Sequence, residues 1–318
     1  MKSKNTLYLA PLQGFTNVFY RKALALTTDQ VHKYFTPFFE HGKHTLLDPH
    51  ELPELDLQLN GGLNVVPQVA TNSPDFFVNF AAHVLKLGYS EINLNMGCPF
   101  PMLVKRQKGG GLLQHPKMAD ALISALVKSH LPIQLSVKMR TGLVDKREGQ
   151  EMMNVLNKYP LNEVIIHPRL VTQRYTGEPD WDVFQEMQES CVHPVIGNGD
   201  INSCIDWQML SQRFPDVTGW MIGRGGLRSP VLWDQISGID DRDLGEFLKH
   251  LHHHYFELVT SYYSDWYRSF NYLYTFWMYP LESIENGKRL FRKLKKHNTP
   301  ESYQDWLCNV WPHFDVDK

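Results

Sequence analysis

Short apolar, β-branched runs alternate along the first two thirds of the chain with longer stretches whose apolar positions recur at helical spacing. Parallel strands joined by crossover helices produce that order. Eight runs carry the pattern: Leu7 to Ala10, Tyr34 to Phe38, Val65 to Val69, Glu91 to Asn95, Gln134 to Met139, Glu163 to His167, Pro194 to Gly197 and Gly219 to Ile222. Eight strand and helix repeats in roughly 235 residues predict an α/β fold of the (β/α)8 TIM-barrel type, which typically needs about 250. An open doubly wound sheet is the structural alternative. Beyond about Pro230 the strand signal stops, and helical periodicity dense in aromatic and histidine residues follows from His250 to Tyr279. The expected organisation is a catalytic barrel over residues 1–238 and a smaller all-α C-terminal domain over residues 239–318.

A barrel of this kind builds its active site from the C-terminal ends of its strands. Seven of the eight runs end on chemically capable or conformationally special residues. They are Pro11 with Gln13-Gly14, Gln68, Asn95 with Cys98, Lys138 with Arg140, His167 with Arg169, Asn198-Gly199-Asp200, and Gly223-Arg224-Gly225-Gly226. The last two groups follow the seventh and eighth runs, where barrels commonly bind phosphate through loop amides and a helix N-terminus. Glycine lets the backbone approach the anion, and Arg224 offers a forked, charge-assisted donor. A phosphorylated ligand is expected there.

Gln68, Lys138 and His167 end the third, fifth and sixth runs and should converge on the barrel mouth. A lysine and a histidine beside an aromatic ring attached to that phosphate would stabilise the negative charge of a reduced flavin. Gln68 can both donate to and accept from a ring edge carrying carbonyl and N–H groups. Cys98 lies within Asn95-Met96-Gly97-Cys98-Pro99, where turn formers would project its thiol into the mouth. An ordinary thiol, of pKa about 8.5, is largely protonated at neutral pH and can act as a general acid. Reduction of an activated C=C bond needs hydride at one carbon and a proton at its neighbour; a flavin could supply the first and Cys98 the second.

The chain of 318 residues, 42% hydrophobic and 21% charged, has an ordinary globular composition, which excludes disorder on a large scale. A formal net charge of -2 excludes a protein that coats nucleic acid through bulk charge, but leaves room for one local basic surface. The four cysteines, Cys98, Cys191, Cys204 and Cys308, form neither a CxxC pair nor a zinc-ligand spacing. No metal is expected, and they read as reduced thiols of a cytoplasmic protein, the last three as small buried hydrophobes. Met1 to Leu12 holds only a short apolar run before Pro11, too short for a signal peptide or a membrane span.

From about Leu9 to Pro230 the ordered motifs resemble the tRNA-dihydrouridine synthases. The matching segments are Leu9-Ala10-Pro11-Leu12-Gln13-Gly14-Phe15-Thr16-Asn17, Asn95-Met96-Gly97-Cys98-Pro99, Val137-Lys138-Met139-Arg140, and His167-Pro168-Arg169. Tyr175-Thr176-Gly177 with Asp180-Trp181, Ile196-Gly197-Asn198-Gly199-Asp200-Ile201, and Met221-Ile222-Gly223-Arg224-Gly225 complete the set. The resemblance implies FMN in a barrel, NADPH as reductant, and reduction of the uracil 5,6 double bond in folded tRNA. It makes Cys98 the proton donor and Asn95 a uracil contact. Lys138 and His167 would hold the flavin ring with Gln68 beside it, and Pro11 and Leu12 would meet the ring through backbone. Asn198, Gly199, Asp200, Gly223 and Arg224 would surround the phosphate, and Arg169 would lie at the substrate or flavin side. The chain departs from the family at Asn93 and Asn17, where aspartate is usual, at Leu12, where methionine is usual, and at Phe100-Pro101-Met102, where small polar residues are usual.

An RNA substrate directs attention to basic surface. Lys105-Arg106-Gln107-Lys108, followed by Gly109-Gly110-Gly111, places three cations on what reads as a flexible loop near the cysteine, suited to a phosphate backbone. Lys288, Arg292, Lys295 and Lys296 fall on one side of a helix, with Leu290, Phe291 and Leu294 on the other. Lys105, Arg106, Arg169, Lys288, Arg292 and Lys296 are thus candidate RNA contacts. Most C-terminal aromatics are expected in the core, some of them free to stack on bases. The expected partner is tRNA, bound by a monomer away from membranes. A flavin barrel acting on a small molecule, and an RNA-binding module without catalysis, are the alternatives.

Overall fold

The computed structural model describes residues 6–40, 52–239 and 242–314. Among the described residues ten strands appear in chain order: β1 (Leu7–Leu9), β2 (Lys33–Phe35), β3 (Phe39–Glu40), β4 (Val65–Val66), β5 (Gln68–Ala70), β6 (Glu91–Met96), β7 (Gln134–Gly142), β8 (Val164–Leu170), β9 (Val195–Asn198) and β10 (Gly219–Ile222). Their order in the sheet is β3-β5-β6-β7-β8-β9-β10-β1-β2-β4, with every pair parallel.

All eight expected runs contain strand, but the second and third strands are each broken in two, the second half of the former, β3, lying just beyond Phe38. Proline supplies no N–H to a ladder, and Pro37 and Pro67 fall within these runs. One backbone and one side-chain bond bridge the gap: Thr36 N–H donates to Val66 O at 3.1 Å, and Gln68 N–H donates to Thr36 Oγ1 at 3.0 Å. Because β2 pairs with β4 and β3 with β5, the two ends of the sheet are halves of the same broken strands. The sheet therefore closes into an eight-stranded TIM barrel.

Strand side chains alternate between the two faces of this wall. Tyr8, Ala10, Phe35, Val66, Ile165, Ile196 and Met221 form a compact interior cluster. Leu7, Leu9, Ile92, Leu94, Val164 and Ile166 take the opposite parity and join the larger core under the helices. At the N-terminal end, Lys33 Nζ lies 3.0 Å from Glu91 Oε2 and 2.9 Å from Glu163 Oε1, and Tyr8 OH donates to Glu163 at 2.9 Å. The crossover helices start at clear caps. Ser73 caps Pro74–Lys86, while Asp145 and Ser203 form capping boxes on Lys146–Leu156 and Cys204–Arg213.

After β10 the chain is helical, with its main segments at Leu244–Tyr262, Trp266–Phe276, Gly287–Leu294 and Pro300–Val310. The first barrel helix, Val18–Thr27, receives them. Phe19 meets Tyr262, Tyr263 and Tyr272 edge-on, and Tyr20 lies against Tyr255 and Phe276. Asn17 caps that helix through Tyr20 N–H and donates its own amide to Tyr255 OH at 3.1 Å. An aspartate could make the cap but not the donation. Tyr255, Phe270, Tyr303, Trp277 and Trp306 are buried, as expected of most of these aromatics, whereas Tyr262 and Tyr267 are exposed. Among the described residues no helix is long and apolar enough to cross a membrane.

Candidate active site

At the C-terminal ends of the strands an open cleft is lined by Ala10 to Gln13 after β1, Asn95 on β6 with Gly97, Cys98 and Pro99 after it, Lys138 and Arg140 on β7, and His167 on β8. Asn198 to Asp200 and Gly223 to Gly225, beyond β9 and β10, complete the wall. The sequence order of strand ends becomes a ring of side chains, as barrel geometry demands.

Cys98 stands on a turn built by Asn95. The Asn95 Oδ1 accepts from Gly97 N–H at 3.1 Å and Cys98 N–H at 2.9 Å, while its Nδ2 donates to Gln68 Oε1 at 2.7 Å. Gly109 to Gly111 support the turn from below. They are buried in a 3-10 helix, Gly109–Gln114. A Cβ on Gly110 would stand 2.5 Å from a Val171 methyl and 3.0 Å from Cys98 O, and one on Gly111 would stand 2.5 Å from Val104 O. The glycines serve close packing, and the flexible loop expected from their sequence is corrected to a fixed one. Burial pushes the Cys98 thiol above its ordinary pKa, outweighing the opposing pull of the Phe100 N–H, Arg140 and Lys138. The thiol therefore holds its proton at neutral pH.

Cations dominate the rest of the cleft. Lys138 Nζ donates to Asn198 Oδ1 at 2.7 Å, and burial together with Arg140 lowers its pKa to about 7. Burial and the surrounding Arg140, Lys138, Arg169 and Arg224 push His167 well below the ordinary imidazole value, leaving it neutral. Arg169 is buried, bonds both oxygens of Asp200, and donates to Gly177 O at 2.6 Å. Arg224 reaches the same carboxylate at 3.3 Å. The side chain of Tyr175 is overlaid by two guanidinium groups, with Arg224 at 4.6 Å and Arg140 at 5.5 Å from the ring centre. Arg140 Nε and Arg169 Nε are buried without a hydrogen-bond partner. Among the described residues lining this cleft Asp200 is the one carboxylate set against Lys138, Arg140 and Arg224, with Arg169 behind it.

The expected residues differ in how they reach the cleft. Pro11, Leu12, Asn95, Cys98, Lys138, His167, Asn198, Gly199, Asp200, Gly223 and Arg224 all line it. Gln68 stands back inside the barrel, with Nε2 on Asn93 Oδ1 at 2.8 Å and Oε1 on Asn95, so both ends of its amide are engaged. Asn93 in turn donates to Ser136 Oγ at 2.9 Å, extending this polar ladder. Leu12 N–H is committed to Thr16 Oγ1 at 2.8 Å. Asp200 is held by two arginines and serves to aim them. Gly199 faces Trp181, which a Cβ would meet at 2.6 Å, so the Asp180-Trp181 pair shapes the loop after β9.

Lys105 is exposed, whereas Arg106 and Lys108 pair with Glu40 at 3.2 and 3.1 Å. Lys288, Arg292 and Lys296 are exposed on and just after the helix Gly287–Leu294, remote in sequence from the cleft. Sequence reasoning did not single out Tyr175, although its motif was noted, nor Phe38 and Asn202. Tyr175 follows a strand end by several residues, so period and strand position carried no signal for it. Among the described residues no group of three or more His, Cys, Asp or Glu could hold a metal ion.

The model of the family described as Dihydrouridine synthase (Dus) matches residues 8–307. The tRNA-dihydrouridine synthase B of Pasteurella multocida (strain Pm70) is 28% identical over 206 residues, covering 63% of this chain and 59% of that protein. The tRNA-dihydrouridine(16) synthase of Vibrio cholerae serotype O1 is 26% identical over 203 residues, covering 61% of this chain and 62% of that protein. The match thus spans less than two thirds of either relative's own length. Among solved structures, the old yellow enzyme from Trypanosoma cruzi superposes with a TM-score of 0.55 at 10% identity, covering 76% of this chain and 89% of that one. At that identity the likeness concerns the fold alone.

Proposed function

The chain belongs to the dihydrouridine synthase family, and from that premise we propose that it reduces the 5,6 double bond of uridines in tRNA to dihydrouridine, using FMN, NADPH and the Cys98 proton. The observation that carries this reading is a protonated thiol in a cleft whose cations outnumber its carboxylates. The two unpartnered buried guanidinium nitrogens and the depressed Lys138 fit an anionic ligand, because each is a charge or donor left uncompensated by the protein itself.

Lys138, His167, Asn198, Gly199, Gly223 and Arg224 are the residues that would hold FMN, with Asp200 aiming Arg169 and Arg224. Bound there, FMN supplies the hydride. Cys98 holds the proton at Sγ and gives it to the uracil carbon next to the one that receives hydride. Asn95 fixes the thiol by bonding the backbone beneath it, and its remaining role is contact with the uracil edge. Neutral His167 can donate one hydrogen bond without adding a further positive charge.

For the RNA we assign residues 239–318 as the binding domain beside a catalytic barrel of residues 1–238. Lys288, Arg292 and Lys296 contact phosphate, joined by Lys105 and Arg106 near the thiol; Arg169 acts on the substrate side through the arginine cluster. The uridine must leave its stack to reach the cleft.

The test is incubation of purified protein with NADPH and unmodified tRNA, with dihydrouridine measured by mass spectrometry. Cys98→Ala is expected to keep flavin absorbance while turnover falls about 100- to 10,000-fold, the usual contribution of a general acid. No dihydrouridine from the wild-type protein overturns the activity; full turnover by the variant overturns the role of Cys98.

A further inference from the structure

Phe100 and Met102, in the segment after Cys98, have no role in the reaction or the RNA contacts described above. Phe100 is 57% exposed and Met102 is 52% exposed, two large apolar side chains within four residues of the thiol. In the chain they follow directly on Pro99, which lines the cleft. Scattered apolar residues are ordinary on protein surfaces, but this pair is rigidly mounted. Pro99 and Pro101 restrict the backbone on either side of Phe100. The Phe100 carbonyl accepts from Leu103 N–H and Val104 N–H, each at 3.0 Å. Leu103 is buried beneath, anchoring the short helix Pro101–Lys105.

A ring carried on so restrained a backbone costs little backbone entropy when something covers it. Lys105, nearby in the chain, is an exposed cation, and Arg106, paired with Glu40, is exposed as well, so an apolar face lies beside positive charge. A nucleobase flanked by phosphates has the complementary pattern. A phenyl ring has no donor or acceptor with which to read a base edge, but it can stack on the face of any base.

We propose that Phe100, with Met102 beside it, is the surface on which a nucleobase neighbouring the reacting uridine stacks, and that the pair thereby selects the RNA contexts that deliver uridine to Cys98. The proposal rests on the uridine-reducing activity inferred above. Extruding the uridine uncovers the face of an adjacent base, and a fixed aromatic ring at the rim restores part of the lost stacking.

The experiment is steady-state kinetics of the flavin-loaded protein with NADPH and unmodified tRNA. Phe100→Ala is expected to raise KM for tRNA roughly tenfold while kcat changes by less than about threefold, since stacking on one base is at stake. Phe100→Trp should bring KM back to within about twofold of wild type, and Met102→Ala should raise it less than Phe100→Ala. An unchanged KM in Phe100→Ala overturns the proposal. So does a fall in kcat at constant KM, which would make Phe100 a support for Cys98. Should Phe100→Ala lose its flavin or its cooperative melting, Phe100→Leu carries the same test, because it keeps bulk but lacks an aromatic face. If wild-type protein forms no dihydrouridine, the activity itself fails and the stacking surface with it, a result obtained before any variant is made.

Discussion

Lys138→Met tests the electrostatics of the cleft without any substrate. Burial and Arg140 bring the Lys138 pKa from 10.5 to about 7. In the unfolded chain the ammonium stays protonated up to about 10.4. Folding therefore releases a proton between these values. The associated stability is complete above the unfolded pKa, shrinks as pH falls, and is gone below about 7, where both states are charged and the native state carries the full penalty. A change from about pH 6 to about pH 9 covers roughly two units of this window, at most about 2.7 kcal/mol at 1.36 kcal/mol per unit. Lys138 is half-buried, and solvent screening leaves about half of that. Methionine does not titrate. In flavin-free protein the stability advantage of the methionine variant should therefore be about 1–1.5 kcal/mol greater at the lower pH, a melting-temperature difference of roughly 2–4 °C. Inorganic phosphate in the cleft should narrow that difference, because an anion compensates the ammonium. Equal advantages at the two pH values, or a greater one at the higher, would show that burial does not depress Lys138 in the folded protein.

Three further outcomes are expected. Because burial raises the Cys98 thiol, the general acid is fully protonated at neutral pH, so kcat should be flat there and fall only as pH rises through the elevated thiol pKa; a pH-rate profile whose descending limb lies below neutrality would contradict the assignment. Gly110→Ala forces a methyl to within 2.5 Å of Val171 and should cost about 1–3 kcal/mol in denaturant unfolding, with a loss of turnover because Cys98 O is displaced; an unchanged midpoint would mean the packing under the cysteine is loose. Replacing Lys288, Arg292 and Lys296 together by glutamate should weaken tRNA binding and flatten its salt dependence by about two to three units of slope, measured by filter binding across ionic strengths; an unchanged slope would remove this helix from the RNA surface.

The barrel was legible because its strands carry eight separate apolar runs, and a closed parallel sheet follows from their alternation with helices. The breaks at Pro37 and Pro67 were present in the sequence, yet their effect was not, since it depends on Thr36 substituting its hydroxyl for a backbone partner across the gap. Strand-end position also found most of the cleft. It misjudged Gln68, which ends its run as expected but is retained inside the barrel by Asn93 and Asn95, partners that only the register of β5 against β6 brings beside it. Gly109 to Gly111 read as a flexible loop because composition records permissiveness and not crowding. Tyr175 escaped notice because its role arises from two guanidinium groups contributed by β7 and by the start of the short helix after β10, far apart in the chain.

The two ends of the barrel show how buried charge separates scaffold from site. At the N-terminal end, Lys33 is held between Glu91 and Glu163, with Tyr8 and Asn162 donating to the same carboxylates at 2.9 and 3.0 Å. Nearly every charge there has its partner within the protein, which makes that end a structural plug. At the C-terminal end, Lys138 leans on a neutral amide, Arg140 donates to the Leu170 carbonyl and overlies an aromatic ring, and Asp200 is shared by Arg169 and Arg224. Desolvated cations without counterions raise the free energy of the folded chain. An anionic ligand offsets that cost only at this end, where the cleft is open and the protonated thiol of Cys98 waits on its wall. The same ligand would pull Lys138 back toward its charged form and weaken the cations' hold on the Cys98 thiolate, pushing the thiol pKa higher still. In the proposed reaction, occupation of the cleft would thus secure the proton on Cys98 until the substrate that accepts it arrives.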